Sequence, residues 1–173
     1  LFRSSAASDV YKRQNLKMKQ QGDQISDATL RKLGSEGIDS IQLNEYSKDK
    51  KLVLIGVPGA FTPTCSVNHV PGFIEKADEI LAKGVDEIIC ISVTNPWVME
   101  AWGKNLNADK ITMLSDGNCE FTESMGLIMD GSGFGLGKVS SRYAAIVEDG
   151  KINCLLAEKG GAFEVSSAET DSY

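Results

Sequence analysis

Apolar and polar positions along this chain fall into two periods, one of strands and one of helices. Lys51–Val57 (KLVLIGV), Glu87–Val93 (EIICISV) and Ile111–Leu114 are short, continuous apolar runs, the pattern of strands buried on both faces. Between the first two, Val70, Phe73, Ile74, Ala77 and Leu81 recur at helical spacing. They predict a helix that starts at Thr62-Pro63, kinks at Pro71 and stops near Lys83-Gly84. Thr62 suits the N-cap, and Pro63 suits a first helical position that has no use for an N–H. Asn95-Pro96 repeats this start ahead of Val98, Trp102 and Leu106, the expected apolar face of a second helix. After the turn Asp116-Gly117, Phe121 and Met125 stand one helical turn apart, and Gly126 ends a short third helix. Tyr143–Val147 and Lys151–Ala157 flank Asp149-Gly150, a strong hairpin pair. Upstream, Asp23–Asn44 carries scattered Ile and Leu and predicts short extended pieces laid against the core. Ser166 and Glu169 form a capping box announcing a C-terminal helix, but only four residues follow, so a truncated C-terminus is expected. The order of elements predicts an α/β fold with a central mixed sheet flanked by helices, strand–helix–strand giving parallel neighbours.

A length of 173 residues predicts one domain. Residues 1–17 are polar without periodicity and read as a leader outside it, either an assembly or cloning remnant or a weak targeting segment; the domain is expected over 18–173. A net charge of −6 argues against nucleic acid or an anionic membrane surface as partner. No apolar run approaches the roughly 20 residues of a membrane helix. The four cysteines (65, 90, 119 and 154) are far apart and there is one histidine, so neither a metal site nor a C-x-x-C dithiol is indicated, and no cofactor is expected. A reducing compartment is favoured: the cytoplasm, or a plastid or mitochondrion if residues 1–17 belong to a transit peptide.

Two stretches invite a chemical reading. Gly131–Lys138 (GSGFGLGK) has neither the spacing of a P-loop nor that of a dinucleotide loop, and is expected to be a flexible loop placing Phe134 and Leu136 near the active site or a subunit contact. The other stretch is Val57–Ser66, VPGAFTPTCS, at the end of the first buried strand. It sets Cys65 in or beside the first turn of a helix, where free N–H groups and the helix dipole favour a thiolate. Rigid and φ-permissive residues crowd before it, among them Pro58 and Gly59, as in a loop held in one shape.

Pro58, Thr62 and Cys65 fit the P-x-x-x-[T/S]-x-x-C signature of peroxiredoxins. The longer string VPGAFTPTCSVNHVPGF resembles the type-II, or fifth-class, branch, and KGVDEIICISV and VMEAWGK are similar to its plant and algal form. The resemblance runs from about Lys19 to Ala168. It implies a thioredoxin-like fold and a peroxidase that reduces hydrogen peroxide and alkyl hydroperoxides through a cysteine sulfenic acid at Cys65. It also implies that Thr62 offers its hydroxyl to thiolate and peroxide, that Pro58 shields the site from water, and that Arg142, within SSRYAAIV, is the cation. His69 and Gly59 rank as secondary; His69 lies four residues after Cys65, on the same helical face. A homodimer is expected, with glutaredoxin and glutathione, or thioredoxin, as reductant. Animal members of the branch carry a resolving cysteine in the C-terminal segment; here Val165 and Ser166 occupy its place. Plant members carry a second cysteine at the position of Cys90, which is either a resolving thiol or a buried core thiol. Cys119 and Cys154 look structural or incidental. Two other functions stay open at this point: a redox sensor passing oxidation from Cys65 to a partner, and a thioredoxin-fold binding module.

Overall fold

The computed structural model describes residues 18–169. The leader read into residues 1–17, and the four residues after Glu169, lie outside them.

Nine strands are present among the described residues: β1 (Thr29–Gly34), β2 (Gly37–Gln42), β3 (Lys51–Val57), β4 (Glu87–Ser92), β5 (Ile111–Ser115), β6 (Ile128–Asp130), β7 (Lys138–Ser140), β8 (Tyr143–Glu148) and β9 (Lys151–Ala157). Seven form one sheet of order β2-β1-β5-β4-β3-β8-β9, and β6 and β7 pair separately. The three apolar runs of the sequence are β3, β4 and β5, side by side and parallel. The hairpin β8–β9 joins antiparallel to β3, and its turn has Asp149 and Gly150 at φ 50° and 77°, the left-handed pair that twists a tight hairpin correctly. This is the expected α/β architecture with a mixed sheet and flanking helices.

Continuous apolar runs are needed because both faces of the sheet are covered. Val53, Ile55 and Val57 of β3 and Ile88 and Cys90 of β4 face one core cluster. Leu52 and Leu54 of β3 and Ile89 and Ile91 of β4 face the other. The first cluster is closed by α2 (Val70–Glu75), α3 (Ala77–Ala82) and α4 (Pro96–Asn105), the second by α5 (Glu120–Met125) with Leu43 of the one-turn helix α1 (Leu43–Tyr46). Tyr143 lies across β3 so closely that a Cβ on Gly56 would stand 1.9 Å from its ring, so only glycine fits opposite it.

The structure departs from the expected elements in five places. The helix after β3 is not one kinked rod: a helical turn at Pro63-Thr64 runs into a π-turn over Cys65–His69, then α2, a break at Lys76, and α3. Pro71 has no N–H to return to the carbonyl four residues back, and the ladder widens just before it. On α4, Asn95 Oδ1 accepts the Val98 N–H at 2.9 Å as expected, but the buried face is Pro96, Met99 and Trp102, with Val98 only half-buried. Asp23–Asn44 is more than short extended pieces, because β1 and β2 make a six-pair hairpin there. The glycine-rich stretch is the closed end of the β6–β7 hairpin, held by Gly131 N–H to the Gly137 carbonyl at 2.6 Å and by a 3-10 turn, rather than a loose loop. The capping box forms no helix within the described residues, because the Ser166 N–H and hydroxyl both bond to Glu158 Oε1.

Candidate active site

Cys65 sits just beyond the carboxyl end of β3, where open α/β sheets build their sites. It is fully buried in the cluster beneath α2 and α4. Pro58, also buried, ends β3, and the chain turns through Gly59 to Thr62. The Thr62 carbonyl accepts the Ser66 N–H at 2.9 Å, so its backbone starts the helix as expected. Its hydroxyl does not cap that helix; it donates back to the Gly59 carbonyl at 2.6 Å. That bond draws the loop tight: a Cβ on Gly59 would come within 2.7 Å of Thr62 Cγ2. Ser66 Oγ accepts the Trp102 indole N–H at 3.0 Å, tying the Cys65 turn to α4.

Arg142, the residue before β8, is 3% exposed. Its Nη1 donates to Cys65 Sγ at 3.3 Å and contacts His69 Nδ1 at 3.1 Å. His69 is fully buried, and its Nε2 lies 2.9 Å from the Ser166 carbonyl. A carbonyl only accepts, so Nε2 carries the proton and Nδ1 accepts from Arg142. Burial, and next the Arg142 charge, hold His69 down at about 4, against the opposing pull of the Ser166 hydrogen bond. The ring is therefore neutral at neutral pH and can accept from a guanidinium. Phe163 closes over the pair, 5.2 Å from the His69 ring and 5.9 Å from the guanidinium carbon. Arg142 Nε is buried and has no hydrogen-bond partner among the described residues.

Cys65, Thr62, Pro58, Gly59, Arg142 and His69 thus share one corner of the fold. Phe134 does not join them: it is 89% exposed at the hairpin tip, and Leu136 is the residue that reaches toward Gly59. Cys90 belongs to the same core cluster as Cys65 but is fully buried mid-strand in β4, where burial, and then Cys65, push its thiol up. All four cysteines are free. Among the described residues no cluster of His, Cys, Asp or Glu could hold a metal, and no helix is long and apolar enough to cross a membrane.

This geometry has known counterparts. The redoxin family profile matches residues 20–171. Peroxiredoxin-2B of Arabidopsis thaliana is 46% identical over 150 residues, covering 86% of this chain and 93% of that protein. A Synechocystis peroxiredoxin, sll1621, is 47% identical over 128 residues, covering 70% of this chain and 68% of that protein. Reduced Prx3 of Vibrio vulnificus, solved in complex with hydrogen peroxide, superposes with a TM-score of 0.86 at 48% identity over 88% of this chain and 96% of its own. The chain belongs to the peroxiredoxin family. Its relatives are of the type-II branch, and its fold is the thioredoxin-like fold of peroxiredoxins. Membership makes it a thiol-dependent peroxidase, an oxidoreductase acting on peroxide.

Sequence reasoning missed two parts of this peroxiredoxin's site. One is the Ser66–Trp102 bond, for which the helical spacing of Trp102 gave a core reading only. The other is Glu158, which follows β9 and reaches the site through the C-terminal turn. A lone glutamate after a strand carries no signal in sequence.

Proposed function

We propose that this peroxiredoxin reduces hydrogen peroxide and alkyl hydroperoxides at Cys65, with glutaredoxin and glutathione, or thioredoxin, returning the thiol. The observation that carries this reading is the Arg142 Nη1–Cys65 Sγ contact of 3.3 Å at the start of a helical turn, a donor and a cation placed on a sulfur. The thiolate attacks one peroxide oxygen; an S–O bond forms as the O–O bond breaks. The leaving hydroxide or alkoxide takes a proton and departs as water or alcohol, and Cys65 is left as a sulfenic acid. Growing charge on the leaving oxygen calls for donors, and the unpartnered Arg142 Nε is one that could serve it. The Thr62 hydroxyl, now on the Gly59 carbonyl, is the second group assigned to the peroxide, and buried Pro58 screens water from the sulfur.

The sulfenic acid condenses with an external thiol to give a mixed disulfide and water, and a second thiol releases Cys65. An external donor is preferred to Cys90 because that thiol is buried in β4 with its ionisation suppressed. A homodimer belongs to the same proposal: Phe61 (52% exposed), which packs on Trp102, and Phe134 are aromatic side chains open to a second copy. The test is peroxide consumption with glutaredoxin plus glutathione, or thioredoxin, supplied in turn. Turnover with either supports an enzyme; a single stoichiometric oxidation with neither reductant sustaining turnover sinks the assignment in favour of a sensor.

A further inference from the structure

Glu158 is 8% exposed, and four donors converge on one of its oxygens. Oε1 accepts the N–H of Glu164 at 2.7 Å, of Val165 at 2.7 Å and of Ser166 at 2.9 Å, and the Ser166 hydroxyl at 2.9 Å. Burial works against its charge, but the four hydrogen bonds outweigh burial and hold the carboxyl below its usual range. It is a carboxylate built into a nest of amides, and such charge-assisted bonds are about twice as strong as neutral ones.

The nest does more than close a turn. It sets Ser166 so that its carbonyl meets His69 Nε2, which fixes the ring tautomer. The tautomer makes Nδ1 an acceptor, and Nδ1 receives Arg142 Nη1, the nitrogen that also donates to Cys65 Sγ. With the other tautomer, two N–H groups would face each other and the guanidinium would be turned away from the sulfur. Glu158 is also tied to Arg142 through the backbone, its N–H donating to the Arg142 carbonyl at 2.8 Å. We propose that Glu158 is a positioning residue: by clamping residues 164–166 it orients His69, and through His69 it aims the Arg142 guanidinium at the Cys65 sulfur. The proposal rests on Cys65 being the peroxide-reactive thiol.

The test uses the full chain. Trapping of a sulfenic acid on wild-type Cys65 after one equivalent of hydrogen peroxide is scored first. Its absence would sink the Cys65 reading itself. The second-order rate of Cys65 oxidation is then followed by tryptophan fluorescence, since Trp102 is bonded next to the thiol. Glu158→Gln keeps an acceptor oxygen but removes the charge. It should lower that rate about tenfold at pH 7 in protein that circular dichroism shows to be folded. His69→Gln should lower it similarly, and the double variant should be no slower than His69→Gln alone, because both act through one ring. Should Glu158→Gln not fold, Ser166→Ala removes one donor and leaves the backbone; it should cost two- to fourfold, and nothing further in the His69→Gln background. A folded Glu158→Gln within twofold of wild type, or losses that multiply in the double variant, would overturn the proposal. A purely structural clamp would move the urea midpoint and leave the rate unchanged.

Discussion

Mild acidification should destabilise this protein chiefly through one side chain, His69. The chain contains one histidine, so an unfolded-state proton uptake near pH 6.5 belongs to that residue alone. In the fold, burial first and Arg142 second hold it at about 4. Between those values the unfolded chain binds a proton that the folded chain refuses, so stability falls as pH drops from 6.5 toward 4. At about 1.4 kcal/mol per unit, the full loss below pH 4 is about 3 kcal/mol, and at pH 5 it is about 2 kcal/mol, a roughly 30-fold shift in the unfolding constant. Other groups do not mimic this. Glu158 is held low, so its contribution is intact above the ordinary carboxylate range and is lost as pH falls through that range and below it, under the window in which His69 acts. Asp116, raised by burial, takes its proton more readily when folded and so works in the opposite direction.

Urea unfolding at pH 7.5, 6 and 5 measures the effect directly. With a slope of about 2 kcal/mol per molar, the wild-type midpoint should fall by about 1 M between the extremes. His69→Gln should start lower, having lost the ring contacts with Phe73 and Phe163, but should show little further loss over that range. Parallel pH slopes in the two proteins would refute the reasoning, because the titration would then belong to another group.

Cys65→Ser should abolish peroxide consumption while leaving the circular dichroism spectrum unchanged; residual activity above about 1% would move the chemistry to another thiol. Arg142→Ala removes the donor to Sγ and should slow alkylation of Cys65 by iodoacetamide at pH 7 by tenfold or more, measured by mass spectrometry. Cys90→Ala should keep most turnover with glutaredoxin and glutathione; a lost turnover together with a Cys65–Cys90 disulfide in the wild type would make Cys90 the resolving residue. Gly56→Ala should cost about 3 kcal/mol in urea unfolding, since its Cβ meets the Tyr143 ring, and an unshifted midpoint would show that the ring moves aside freely.

The parts of the fold legible in sequence are those where burial leaves no choice. β3 and β4 read as strands because every position after the first is buried, against one face or the other. The Asp149-Gly150 turn is legible because its geometry restricts which residues can occupy it. β2 is the counterexample: an edge strand exposed at nearly every position, with no core to impose alternation, and its hairpin appears in the pattern only as scattered Ile and Leu. The capping box failed for a different reason. Local signals name groups that are able to bond, and Ser166 was able to cap a helix, but Glu158 offered its amide and hydroxyl a buried carboxylate instead.

The same division runs through the site. Cys65, Thr62, Pro58 and Arg142 could be named because each is a side chain placed by a motif, and His69 because a spacing of four brings two side chains to one face. The turn widens into a π-turn, and both side chains still lie within reach of Arg142 Nη1 although the helix is not the regular one the spacing assumed. What holds Arg142 in place could not be named, since it passes through the Ser166 carbonyl and the amides of residues 164–166. Backbone groups are the same in every sequence, and only their direction in the fold distinguishes a peptide that meets the histidine bonded to Arg142 from one that merely closes a turn. Val165 and Ser166 bring no thiol to this segment; what the segment presents to the site is the Ser166 carbonyl, 2.9 Å from His69 Nε2.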